Sequence, residues 1–114
     1  YARFCRMLLN GGELDGVRLL RPDSVALMMS DQLGPLAQDR TFGLGANYTF
    51  GFGGYVRTVQ TPTGARQEFG WWGAGGTAFW CDRTEGLCGI FLIQQSDEAR
   101  RFSDHFHDLA RQAF

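Results

Sequence analysis

Lysine is absent from this sequence, and all eleven basic residues are arginine. That absence excludes, within this chain, a phosphate-loop lysine, a Schiff-base lysine and a serine–lysine nucleophile pair. Cysteine is scarce too. Cys5, Cys81 and Cys88 are odd in number and irregular in spacing, which argues against a disulfide framework and for a reducing compartment. Long hydrophobic runs are missing: the longest, residues 87–93, is strand-sized, well short of the roughly 18 residues of a membrane span. The first residues carry Arg3 and Arg6 without an extended apolar run, unlike a signal peptide. A formal net charge of −1 leaves no basic excess for nucleic acid and no acidic tail.

What is present describes a globular segment. The 114 residues, 44% apolar and 20% charged, suffice for one domain with a real core. Residues 1–10 read as a helix with Tyr1, Phe4, Cys5 and Leu8 on one face, ended by Gly11-Gly12. Asp15-Gly16, between short apolar arms, predicts a small surface hairpin. Pro22 opens a second helix, with Val25, Met28, Met29 and Leu33 as its stripe and Gly34-Pro35 as its end. An aromatic–glycine tract follows, including Phe42, Gly43, Tyr48 and Phe50, then a strand over residues 51–59 and a turn at 61–64. Residues 68–72, 77–81 and 87–94 read as strands, the last two joined by a hairpin-length loop. Ser96 or Asp97 caps a final helix whose buried stripe is Phe102, Phe106, Leu109 and Ala113. The expected class is α+β, an antiparallel sheet flanked by helices. In one segment, residues 1–35 hold helices and hairpin, 50–95 the strands, and 97–114 the last helix.

Few residues form a pattern that carries chemistry. His105 and His107 are two apart on a helix, about 200° around its axis, so they cannot chelate one ion together and read as surface residues. Cys81 and Cys88 lack a CxxC partner and have apolar neighbours, so packing suits them better than metal, with a cross-hairpin bridge as an alternative. Glu68, Glu85, Asp97 and Glu98 read as solvated charges, and no G-x-S-x-G nucleophile turn occurs. No metal and no cofactor is expected. The segment from Gly70 to Thr77, GWWGAGGT, stands apart. Its four glycines either form a bend around one core tryptophan or let another backbone or a ligand come close. Trp71 and Trp72, adjacent on a strand, point to opposite faces.

Three blocks together resemble the C-terminal part of the serine β-lactamase and penicillin-binding-protein-like hydrolases, nearest the class C β-lactamases and related esterases. They are NGGELDGVRLLRPDSVALM from Asn10, GFGGYV from Gly51 and GWWGAGGTAFWCD from Gly70. The resemblance covers nearly the whole chain, but only about the last third of a family member. It implies a partial β-lactamase/transpeptidase-like fold. It matches Trp71, Trp72 and Gly73 to the family's third motif, on the strand lining the substrate. It makes the backbone N–H of Ala74 one of two oxyanion donors. Where β-lactamases present a cation and a hydroxyl, Trp71 and Trp72 offer apolar surface and indole N–H groups, implying an ester with an uncharged body.

The family's Ser-x-x-Lys and Tyr-x-Asn motifs do not occur in this sequence. The resemblance therefore implies the C-terminal portion of a serine esterase acting through an acyl-enzyme, its nucleophile upstream, and inactive alone. The alternatives are a β-lactamase or D-Ala peptidase of the same fold, or a non-catalytic interaction module. The expected partners are a small acyl substrate (ester or β-lactam) and either the upstream segment or another copy of the chain, with no nucleic acid and no membrane span. The expected location is the bacterial cytoplasm, with the periplasm as the alternative.

Overall fold

Asp15 and Gly16 take φ of +52° and +78°, the left-handed pair that a two-residue hairpin turn demands. They join β1 (Glu13–Leu14) to β2 (Val17–Arg18), with Leu14 opposite Val17. The computed structural model describes residues 1–36, 44–95 and 98–113. Before the hairpin runs helix α1 (Ala2–Leu9); the Gly11 and Gly12 N–H groups donate back to the Leu8 and Met7 carbonyls and end it. After it runs α2 (Pro22–Met28), with proline in its first turn and Asp23 near its positive end.

Five antiparallel strands follow, in the spatial order of the chain. They are β3 (Tyr48–Phe50), β4 (Tyr55–Thr61), β5 (Gly64–Trp72), β6 (Ala78–Asp82) and β7 (Leu87–Phe91). Helix α3 (Ala99–Gln112) closes the order. The architecture is thus α+β. Among the described residues no helix is long and apolar enough to cross a membrane.

Register divides the sheet into two faces. Val56, Phe69 and Cys81 are partners across β4, β5 and β6, and all three are buried. They pack with Cys5, Met7 and Leu8 of α1, with Val25 of α2 and with Met29 at its end, forming the apolar core. One residue along, Arg57, Glu68 and Asp82 are also partners. The period of two turns them to the other face, where α3 lies. The sheet is therefore sandwiched: apolar chemistry on one side, charged chemistry on the other.

Several expectations shift. On α1 the buried face is Cys5, Met7 and Leu8, while Tyr1 and Phe4 are exposed. Helix α2 stops at Met28, before Leu33; the Met28 carbonyl instead accepts the N–H of Phe52, in the turn after β3, so a contact with that turn replaces the helical continuation. Gly34–Leu36 is a separate 3₁₀ turn. The strand expected over 51–59 is split: residues 51–54 turn between β3 and β4, because Gly51 N–H donates to Gly54 O. Strand β5 starts four residues earlier than expected, at Gly64, through its pairing with β4. Strand β7 ends at Phe91 rather than 94, where the pairing with β6 runs out at Ala78. On α3, Phe102, Leu109 and Ala113 are exposed, and His107 takes the buried position. The expected caps Ser96 and Asp97, with Phe42 and Gly43 of the aromatic–glycine tract, lie outside the described residues.

Candidate functional site: an apolar groove at the end of strand β5

Strand β5 delivers the two tryptophans to one end of the sheet. Trp71 is opposite Phe79 and Trp72 opposite Ala78 on β6. Neither tryptophan fills the core: Trp71 is 42% exposed, and Trp72 is half-buried among Tyr48 and Tyr55. The two indoles are 5.4 Å apart, tilted by 45°. With Gly73, Phe79, Ile90 and Leu92 they line an open groove of about 370 Å³. Among the described residues no charged side chain lines it, and its polar side chains are those of Tyr1 and Thr77. Such a surface takes an uncharged apolar body and offers a carboxylate no counter-ion.

The chain then turns sharply. Gly73 N–H donates to Thr77 O at 2.8 Å and Gly76 N–H to Gly73 O at 3.0 Å. Gln95 N–H donates to Gly75 O at 2.9 Å, tying the turn to the segment after β7. Ala74, exposed within this turn, has an N–H with no hydrogen-bond partner among the described residues. The expected site residues are thus brought together: Trp71, Trp72 and Gly73 line the groove, and Ala74 follows with a free donor.

Two of the four glycines differ sharply in their surroundings. A Cβ on Gly70 would lie 2.4 Å from the Phe79 carbonyl oxygen and 2.6 Å from the Tyr55 hydroxyl. This glycine therefore admits a neighbouring side chain of the same fold. Burial, then the charges of Tyr48 and Glu68, push that Tyr55 phenol well above its ordinary range. A Cβ on Gly75 would meet nothing within 4 Å.

A second constellation was not legible in the sequence. Glu68 and Asp82 are fully buried, and His107 is 7% exposed. His107 Nε2 lies 2.9 Å from a Glu68 oxygen, and Arg111 reaches both Glu68 and, at 2.7 Å, Asp82. Arg66 lies 3.1 Å from Asp82. The Trp80 ring packs on His107 at 4.8 Å and under the Arg111 guanidinium at 4.5 Å. Burial alone pushes the Glu68 carboxyl up, but the His107 hydrogen bond and the His107 and Arg111 charges outweigh it and hold it below the usual carboxylate range. The reading of His107 and Glu68 as surface groups is therefore corrected, whereas His105 is exposed as expected. The available signal was the four-residue spacing of His107 and Arg111, which sets both on one helix face. Every acid in this cluster is matched by a base, so it clamps α3 to the sheet.

Cys81 and Cys88 face each other across β6 and β7, and all three cysteines are free thiols. No family model matches this sequence, and comparison with curated proteins returns no match.

Proposed function

We propose that this chain forms one wall of the acyl-binding site of a serine hydrolase of the β-lactamase and penicillin-binding-protein-like type, acting on esters through an acyl-enzyme. The observation that supports the reading is the apolar groove lined by Trp71, Trp72 and Gly73, followed directly by the unpaired Ala74 N–H. In this reading the groove holds the apolar acyl chain. The Ala74 N–H donates to the carbonyl oxygen as a serine hydroxyl adds to the carbonyl carbon and negative charge builds on that oxygen. Collapse of the adduct expels the alcohol, and water then releases the acid. The serine and its base come from residues outside this sequence. The uncharged lining favours esters over β-lactams or D-Ala peptides, whose carboxylates call for a cation.

The test compares the complete encoded protein with the 114-residue chain, using p-nitrophenyl butyrate and nitrocefin. The expected result is ester hydrolysis by the complete protein, slower nitrocefin turnover, and no catalysis by the chain alone. A complete protein without Ser-x-x-Lys, or rapid hydrolysis by the isolated chain, overturns the reading.

A further inference from the structure

We propose that Arg100, in the first turn of α3, is a positioning residue for the groove: it holds the Trp72 indole as the groove's inner wall and so sets the length of chain that fits. This rests on the acyl-binding reading of the groove.

Trp72 stands where two spaces meet. It lines the groove of about 370 Å³ and also a cavity of about 30 Å³ between the sheet and α3. Ala78, its partner on β6, lines both as well. Trp71 is opposite the bulky Phe79, but Trp72 is opposite a methyl group, so β6 gives its indole little support. The support comes from elsewhere. The Tyr55 ring is 4.7 Å away at 73°, and the Arg100 guanidinium lies 5.2 Å from the indole centre. Arginine over tryptophan at this distance is a favourable cation–π pairing.

Helix stability does not account for Arg100. A cation in the first turn opposes the helix dipole. Asp104 is four residues on, the spacing at which helical ion pairs form. Yet Arg100 makes no ion pair among the described residues, whereas its neighbour Arg101 pairs with Glu98 at 3.4 Å. The Arg100 side chain is turned to the ring instead. Helix α3 is itself fixed to the sheet through His107 and Arg111. It therefore carries the cation to a defined place over Trp72.

The consequence is a limit on length. With the indole held, a chain entering the groove stops at Trp72. With the cation removed, the indole turns aside and the chain end reaches the cavity, which has room for about two water-sized groups. Each further buried carbon gains about fourfold in affinity.

The experiment uses the 114-residue chain, its Arg100→Gln and Arg100→Lys variants, and methyl esters from butyrate to decanoate. Tryptophan fluorescence follows binding, and NMR follows the indole signals. In the parent, affinity is expected to rise with ester length and then level off. In Arg100→Gln it levels off about two carbons later, with about tenfold tighter binding of the longest esters. In that variant the ligand-free Trp72 indole signal moves, while that of Trp80, under Arg111, does not. Arg100→Lys keeps the cation and restores the parent limit. An unchanged limit in Arg100→Gln, a limit that Arg100→Lys fails to restore, or joint movement of Trp72 and Trp80, which marks a displaced helix, overturns the proposal. No saturable binding of any ester overturns the acyl-binding reading and the length limit with it, a failure distinct from an unchanged limit.

Discussion

His107 on α3 meets Glu68 on β5 across 2.9 Å, with Glu68 fully buried. Glu68 and Asp82 are direct partners on neighbouring strands, an arrangement that repels unless cations intervene. Arg111 does so by reaching both acids, and Arg66 adds a second contact to Asp82.

Removing one member therefore strands a buried charge. Arg111→Leu is expected to lower unfolding stability by about 3–5 kcal/mol, the usual cost of breaking a buried pair. Urea unfolding followed by circular dichroism checks this. A loss below about 1 kcal/mol would show that the cluster is not the clamp that holds α3.

The same cluster sets an acid dependence. The Glu68 carboxyl is held below its ordinary range in the folded state, so the unfolded chain takes up its proton first as pH falls. The stabilisation is complete above about pH 4.3, the unperturbed value. It declines as pH drops through the depressed folded value. Melting temperatures between pH 2.5 and 6 are expected to show this decline, with a shallower slope in Glu68→Gln.

Local turn chemistry and strand alternation carried much of the fold into the sequence. Asp15-Gly16 specified its own turn, and the β6–β7 hairpin followed from two apolar runs around a short loop. The buried polar face was hidden because it is a product of register. Nothing near Glu68 in sequence marks it as buried; its partners are Asp82, His107 and Arg111, all brought in by tertiary pairing. The split of residues 51–59 has a local origin instead, a turn closed by the hydrogen bond from Gly51 to Gly54. The groove was partly legible: the pair Trp71 and Trp72 was singled out, whereas Ile90 and Leu92 join it only through the sheet and the chain that follows it.

Two glycines of one motif should respond oppositely. Gly70→Ala forces a Cβ against the Phe79 carbonyl and the Tyr55 hydroxyl and is expected to destabilise by about 1–3 kcal/mol. Gly75→Ala enters open space and should fall within about 0.5 kcal/mol of the parent. Denaturant midpoints of the two variants decide it; equal losses would contradict the packing described here.

Thiol chemistry should separate the cysteines. Cys5 and Cys81 are completely buried and Cys88 is half-buried. Burial first, then the neighbouring Cys5, pushes the Cys88 thiol up, so even this site reacts slowly. Iodoacetamide on the native chain, read by mass spectrometry, is expected to modify Cys88 first and all three only in denaturant. Early labelling of Cys5 would place α1 off the sheet.

The most direct test of the central claim is an amide and indole NMR titration of the 114-residue chain with methyl butyrate, an unactivated ester. The account predicts saturable shifts of the Trp71 and Trp72 indole signals and of the Ala74 amide, with the Glu68 and His107 signals unmoved. Shifts that bypass residues 71–74, or no saturable shift at all, would contradict an acyl-binding wall at the end of strand β5.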